Sequence, residues 1–596
     1  MVRATFAGFT TAMSALQANQ KRLDITGQNL ANTNTVGYTR QQLQVSSLNY
    51  TNPVSHYMSS SEVVVGFGVH MDKVTQIRDP YLDMQYRGQI QKSGYTDAMQ
   101  KSLDRLSDYL DETQIDGIHM AFQEIQATLQ RMHDLAYVDD AVFEAELRTR
   151  MQALANKMNE ASKEIDKAAQ EEFSRLDGTG TSEQGSVQRI NDILQQIGQM
   201  NRQIKQNQIM GQPSLELMDD RNVLIDELAS YIPIEVTYYK DREHDGLNDA
   251  GVDDGNHLGE KYHLDSAGNI IMKQEWPDDL RITMDYVDQN GVRQKLVLVE
   301  GTVGKGNENY GKVTVNNSDA IRNGNMKPSG LELVFSGFEA TSTPTDYGTP
   351  SADIIFSRPI DPVTGNPGAI TSQFPAGSGS IQASLDMLWK DGETAGIADV
   401  RGYDFYTNQL DNLAASFAEV MNTINAKYTA AGNDSQLLVN TTNDSTTGIT
   451  AANIGISQGW INGSIHIGKG TGANGNANDT ALDMLEAMQS TYPIKGGNIG
   501  QFPNVDLDNN TFGDFMNHTS TILANDSYSN SVSLKTNMTV LNGIQNSRDS
   551  VSGVSLNEEA SNIMMHMSAY NAASRLMTTL DQALDVLING TGVVGR

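Results

Sequence analysis

Two seven-residue apolar repeats, one near each end of the chain, constrain most strongly what it can fold into. Phe9, Leu16, Leu23 and Leu30 recur every seven residues near the start, and Leu556, Ile563, Tyr570, Met577 and Leu584 do so near the end. Around them the sequence stays small and polar, with Asn19, Gln20 and Gln28 beside the first stripe and Asn557, Glu558, Asn571 and Thr578 beside the second. A seven-residue period keeps an apolar seam facing a partner only when helices wind together. A helix of roughly 30 residues with so narrow a stripe is marginal alone, because helical stability in proteins comes mostly from packing. The spacing predicts that the two ends pair, although two helices closing a globular core would show the same period.

The first stripe stops at Asn29-Leu30-Ala31-Asn32-Thr33-Asn34-Thr35-Val36-Gly37-Tyr38-Thr39-Arg40, where asparagines and threonines gather and Gly37 supplies the freedom that a turn needs. This string resembles the N-terminal motif of the bacterial flagellar axial proteins of rod, hook and junction. In those proteins an Asn-Leu-Ala-Asn…Gly-Tyr pattern follows a first amphipathic helix, matched here by Asn29, Leu30, Ala31, Asn32, Thr35, Gly37 and Tyr38. The run from Ser555 through Glu558, Glu559 and Ala560 to Tyr570, Ala573 and Leu587 looks like their C-terminal partner helix. Within that group, two internal segments are similar to the hook-associated protein 1 family. Leu217-Met218-Asp219-Asp220-Arg221-Asn222-Val223-Leu224-Ile225-Asp226-Glu227-Leu228 matches its acidic helix, and Asn474 to Leu482 its Asn-rich run before a helix. Val36 stands where the family commonly has proline, and residues 240–380 carry no matching motif.

The resemblance implies a structural subunit of the flagellum that assembles with copies of itself at the hook tip and joins hook to filament. It implies as partners the hook protein, the next hook-associated protein and a cytoplasmic export chaperone at the C-terminal helix. It also implies type III export and an extracellular place. Another axial protein of hook or distal rod, an adhesin using a β-rich head, and an enzyme on an axial scaffold are the alternatives.

Composition agrees with a structural protein. A chain of 596 residues is too long for one core and implies roughly three or four domains. With 42 Lys plus Arg against 73 Asp plus Glu, the net charge of -31 argues against nucleic acid or an anionic membrane as partner. No cysteine is present, which excludes a disulfide framework, a thiolate metal site and a cysteine nucleophile. No run approaches the roughly 18 apolar residues of a membrane helix. Arg3, Thr10, Thr11, Ser14 and Gln17 occupy the place where a Sec-type signal would be apolar.

Proline divides the chain. Between Pro80 and Pro213 there is none, and after Pro503 none, whereas seven of the fourteen lie from Pro328 to Pro375. Met99, Leu103, Leu106 and Leu110 form one helical face. A second helix is expected from about Asp140 to about Leu176, and a third over Val187, Ile190, Leu194, Ile197 and Ile204. From about Ile234 the period turns to alternation, with Asn290-Gly291 between two apolar runs as a hairpin signal and further strands at Leu331 to Phe335 and Ile354 to Phe356. Helix resumes at Ile381 and runs through Leu385, Leu388, Leu410, Leu413, Phe417, Val420 and Ile424 to about Lys427. It returns at about Asp479, and again from about Asp514 to Ile588.

The expected fold is mixed and mainly α: a long helical rod with terminal coiled-coil helices and an inserted β domain. Residues 1–50 with 551–596 form the terminal assembly unit, and 51–235 with 381–435 and 511–550 the rod. Residues 236–380 form the β insert, and 436–510 a small polar insert or structured loop. The expected assembly seam is the two stripes above, and Asn29, Leu30, Ala31, Asn32, Gly37 and Tyr38 shape the turn out of the axial tube.

Chemical sites weigh little. Gly470 to Gly475 has dinucleotide-loop spacing, but no acidic residue closes a second strand after it. Met564, Met565, His566 and Met567 point in different directions around a helix and cannot converge on one ion. The acidic stretch Asp241 to Asp254 lacks the ligand alternation of a calcium loop. Asp219-Asp220 beside Arg221 reads as local ion pairing. Without a His-Glu-x-x-His or a nucleophile elbow, no catalytic, metal or cofactor residue is expected.

Overall fold

Side chains that satisfy the free amides of a helix start mark the two halves of the rod. Asp79 accepts from the Tyr81 amide at 2.9 Å ahead of Pro80. Thr511 accepts from Asp514 at 3.2 Å, and Ser555 from Glu558 at 3.4 Å. The computed structural model describes residues 7–47, 68–110, 112–133, 141–178, 184–240, 262–264, 270–273, 278–300, 309–339, 351–359, 368–394, 397–469, 477–492, 502, 505 and 507–590.

The first half is helical after a hairpin. Helix α1 (Ala7–Ala31) leads to β1 (Gln41–Ser47) and β2 (Val69–Gln76), an antiparallel pair lying on it. Then follow α2 (Pro80–Tyr109), α3 (Glu112–His133), α4 (Ala141–Asp177), α5 (Ser186–Ile209) and α6 (Leu215–Tyr231). Gly178, at φ +78°, ends α4 where a Cβ would lie 2.4 Å from the Gly185 backbone, so α5 turns back directly.

The strands come next, mixed with one short helix: β3 (Ile234–Lys240), β4 (Tyr262–Leu264), β5 (Ile270–Lys273), β6 (Asp278–Asp288), β7 (Arg293–Glu300), β8 (Lys312–Asn316), α7 (Ser318–Arg322), β9 (Glu332–Ser336), β10 (Phe338–Glu339), β11 (Ile354–Ser357) and β12 (Ser372–Gln373). The expected hairpin is β6–β7, turning at Asn290-Gly291 with Gly291 at φ +77°. β3 and β12 share the other edge of β6, and β10 extends β7. A second sheet runs β11-β9-β8. Phe335, Phe356 and Phe374 fill the β core, with centroids 4.9, 5.6 and 4.7 Å apart. Asn191 of α5 ties the insert to the rod by pairing with both the carbonyl and the amide of Val313, at 2.7 and 2.8 Å.

The second half corrects two continuous helices. The stretch from Ile381 to Lys427 is α8 (Ser380–Trp389), a hairpin of β13 (Asp391–Thr394) and β14 (Ile397–Arg401), and α9 (Tyr403–Tyr428). Gly392, at φ +91°, takes the chain out of helix there. Beyond it lie β15 (Leu438–Asn440), β16 (Ile454–Ile456), α10 (Gln458–Asn462) and α11 (Ala477–Gln489). The final stretch is likewise two helices, α12 (Phe512–Ser552) and α13 (Leu556–Asp585), broken at Gly553-Val554-Ser555 where Ser555 starts a new cap. Among the described residues no helix is long and apolar enough to cross a membrane.

One core joins chain segments hundreds of residues apart. Phe122 of α3, Phe417 of α9 and Phe512 of α12 have centroids 5.4, 6.0 and 5.7 Å apart, each ring stabilising by on the order of 2 kcal/mol through burial. The polar span after α9 shares this core through Leu437, Leu438, Ile454, Ile456 and Trp460. Rod side chains clasp its backbone: Asn422 bonds the Leu438 carbonyl and the Leu437 amide at 2.6 and 2.8 Å, and Asn425 bonds the Ser435 carbonyl and the Gly468 amide, each at 2.8 Å.

Core burial on α12 ends at Leu523. Beyond it the helix lies on α2 through polar groups: Gln100 to Ser527 at 2.8 Å, Asn530 to the Thr96 carbonyl at 2.9 Å and Gln89 to the Asn537 carbonyl at 3.1 Å. Such bonds contribute about 1 kcal/mol each, so the far end of α12 depends on what holds it near Arg548.

Candidate functional site

The terminal helices α1 and α13 pack antiparallel in a constant register. A Cβ on Gly8 would meet Leu580 at 3.3 Å, Arg22 lies beside His566, and Asn29 Nδ2 donates to Glu559 Oε2 at 3.4 Å. Fourteen residues separate the first two contacts on either helix, and seven the next two. Burial and the neighbouring Arg22 charge lower the His566 pKa, which favours its neutral form in the seam.

The expected seam residues take unequal places. Phe9, Leu16 and Leu23 are half-buried on α1, as are Ile563, Tyr570, Met577 and Leu584 on α13. Leu30 and Leu556 lie at the same end of the pair and are 38% and 56% exposed. The fully buried line of α1 is instead Ala12, Ala18, Ile25, Thr26 and Asn29, because α1 is covered by the hairpin β1–β2 as well as by α13. On α13, among the described residues, only Glu559 and Ala573 are buried.

The motif after α1 builds a joint. Asn29, 2% exposed, uses all four of its hydrogen-bonding valences. Its Oδ1 accepts from the Tyr38 hydroxyl at 2.9 Å and the Gln41 amide at 3.0 Å, while Nδ2 reaches the Gln41 carbonyl at 3.0 Å besides Glu559. Burial, with Asp219 nearby, pushes the Tyr38 phenol up to about 12. Gly37 has φ +80° and lies where a Cβ would be 2.2 Å from Val223 Cγ2 of α6, so a side chain is excluded twice over. Asn32 and Thr35 bond to each other at 3.1 Å within the turn, Ala31 ends α1, and Val36 is 87% exposed.

The motif and the acidic helix, two separate sequence signals, meet here. Asp219 of α6 accepts from the Thr39 amide at 3.0 Å and the Thr39 hydroxyl at 2.6 Å, with Arg78 at 3.8 Å. The expected local pairing with Arg221 is therefore replaced: Arg221 is buried and donates to Asn201 Oδ1 at 2.8 Å. The Arg40 amide donates to the Ser552 carbonyl at 2.8 Å and its guanidinium to Glu558 at 2.6 Å, so the same loop holds the α12–α13 break.

Sequence reasoning missed the basic half of the joint. Arg548 Nη1 reaches Asp226 Oδ2 at 2.7 Å, and its Nε reaches Asp83 Oδ1 at 2.8 Å, with the guanidinium 4.9 Å from the Tyr86 ring centroid. Arg87 takes the other oxygen of Asp226 at 2.8 Å, and Arg78 pairs with Asp83 at 3.0 Å. The available signal was an isolated arginine in a long run of Ser, Asn and Thr.

Burial raises the Asp219 carboxyl from 3.8 to about 6, against the lowering pull of Thr39 and Arg78. The folded joint then takes up a proton between about pH 4 and 6 that the unfolded chain does not, so stability from this group rises as pH falls from 7 through 6 and is lost as pH rises. Relative to Asp219→Asn, the chain should gain on the order of 1 kcal/mol in resistance to urea between pH 7 and 5. Parallel pH profiles for the two proteins would contradict this.

No group of three or more His, Asp or Glu able to hold a metal occurs among the described residues. The glycine-rich span at 470–475 and the acidic stretch 241–254 lie outside those residues.

Comparison with known proteins agrees with the joint's two halves. The family described as flagella basal body rod protein matches residues 9–39, and that described as flagellar hook-associated protein FlgK helical domain matches 103–307. Flagellar hook-associated protein 1 of Bacillus subtilis is 26% identical over 601 residues, covering 99% of each chain. The protein of that name from Salmonella typhimurium is 23% identical, covering 97% of this chain and 98% of its own. The solved flagellar hook junction protein FlgK from Burkholderia pseudomallei overlays 60% of this chain and 46% of its own at 18% identity and a TM-score of 0.35, too low to add to the argument. With a rod-protein start, a FlgK-type helical domain and similarity from end to end, the chain is similar over its whole length to flagellar hook-associated protein 1.

Proposed function

We propose that the chain is a structural subunit of the extracellular flagellum that assembles with copies of itself at the hook tip and joins hook to filament. The observation that carries this reading is α13: thirty residues long, with two buried positions among those described and Leu556, Met564, Met565, Met567 and Leu576 all 47% exposed or more. A helix of that length left so bare waits for neighbours to bury it. Its relatives carry the name flagellar hook-associated protein 1.

In this reading residues 1–50 and 551–596 form the assembly unit, with the rod, the β insert 236–380 and the polar span 436–510 outside it. The half-buried Phe9, Leu16 and Leu23, with Leu30, Leu556, Ile563, Tyr570, Met577 and Leu584, complete their burial against adjacent subunits, while Asn29, Gly37 and Tyr38 set the angle at which the rod leaves the axial tube. Docking then offsets the entropy of ordering the termini. The hook protein and the next hook-associated protein are the axial neighbours. Before export a cytoplasmic chaperone covers α13, whose apolar side is otherwise open to water.

Deleting the gene in a motile host should leave bare hooks, with flagellin lost to the medium, by electron microscopy and immunoblot. Intact filaments on such cells would reject the junction role and turn attention to the β insert as an adhesive head.

A further inference from the structure

Sulfur chemistry in this chain belongs to methionine, since it holds 26 methionines and no cysteine. Met151, Met158, Met284 and Met387 are fully buried, whereas Met564, Met565 and Met567, on one turn of α13, are 67%, 58% and 56% exposed. Met565 heads a line with Ala569, Ala572 and Leu576 at i, i+4, i+7 and i+11, beside the positions that face α1. This second apolar line is what a neighbouring subunit would meet.

We propose that Met564, Met565 and Met567 form a methionine-oxidation site whose sulfoxide state blocks addition of the subunit, an inference that rests on the reading of α13 as a docking helix. The oxidant is a hydroperoxide. The thioether sulfur attacks its outer oxygen, the O–O bond breaks as an S–O bond forms, and the peroxide proton passes to the departing oxygen to give water or an alcohol. Sulfur is oxidised and the peroxide reduced, two electrons each. The product replaces three apolar side chains by polar ones on the exposed face of one helix turn, and it is reversible by a methionine sulfoxide reductase. Met84, Met120 and Met210, 60%, 57% and 69% exposed, lie on α2, on α3 and at the end of α5, so oxidation there leaves α13 unchanged, whereas Met13, 52% exposed, lies on α1, so every chain in the test carries Met13→Leu.

The test uses the purified full chain, dilute hydrogen peroxide and cells that bear hooks but lack the subunit. Peptide mapping should show Met564, Met565 and Met567 oxidising about tenfold or more faster than Met151 and Met387, and addition of the treated chain to hook tips should fall about tenfold. In the chain carrying Met564→Leu, Met565→Leu and Met567→Leu the ratio of treated to untreated addition should stay near one, whatever its untreated rate, and the reductases for both sulfoxide epimers with a thiol reductant should restore the treated chain that keeps the three methionines. Undiminished addition by the oxidised chain, or no recovery on reduction, would overturn the proposal. Failure of the untreated chain to add at all would overturn the junction reading instead.

Discussion

Replacing Asp226 by alanine will loosen the joint by about 3–5 kcal/mol, the cost of leaving a buried charge without its partner. Asp226 is 8% exposed and is shared, one oxygen to Arg87 and the other to Arg548. Without it Arg87, 5% exposed, keeps among the described residues only neutral acceptors, the Tyr238 hydroxyl at 3.3 Å and Asn222 Oδ1 at 3.4 Å. Arg548 still has Asp83 and the face of Tyr86. Arg548→Ala should therefore cost less, because Asp226 keeps Arg87 and Asp83 keeps Arg78.

The effect will be local. Between Leu523 and Arg548, α12 is held on α2 by neutral polar bonds, each weak, so with the Arg548 anchor reduced to Asp83 and Tyr86 that length of helix opens more readily while the core around Phe122, Phe417 and Phe512 stays closed. A chain of this size does not unfold as one unit, so the measurement is amide exchange over 538–552 against that over α4. Protection falling equally in both regions, or in neither, would contradict the role given to Asp226.

How much of this was legible in the sequence follows from the range of each interaction. Periodicity is local, so the helices, the β6–β7 turn and the pairing of the ends could be read from spacing. The hairpin inside 381–427 could not, because Leu388 and Leu410 stay in apparent phase across it while Gly392 and Gly402 break the backbone between them. The seam was half legible. A period of seven marks one line along a helix, but α1 is covered on two sides, and the second cover comes from a hairpin whose position the period does not encode. Small residues took the most buried places, Ala12 and Ala18, and small residues carry little apolar signal. The Asn29–Tyr38 motif and the α6 acidic helix were each visible; that Asp219 sits under Thr39, 180 residues away, was not.

Ile25→Asp will abolish addition to the hook tip while leaving the rod folded. Ile25 is 7% exposed, and the register fixed by Gly8 with Leu580 and Asn29 with Glu559 sets it opposite Ile563. A carboxylate there loses its water, and even with Arg22 one turn away burying it costs several kcal/mol, comparable to what a helix pair of this kind can supply. Circular dichroism should keep nearly all of its helical signal, because the core from Met99 to Leu523 does not include α1. The absence of native cysteine lets the same register be read directly. Ile25→Cys with Ile563→Cys should close an intramolecular disulfide under mild oxidation, whereas Ile25→Cys with Leu556→Cys, a full heptad out of register, should not. Cross-linking in the second pair at the rate of the first would mean that α1 and α13 slide past one another in the free subunit, and normal hook-tip addition by Ile25→Asp would mean that their pairing is not what the junction is built on.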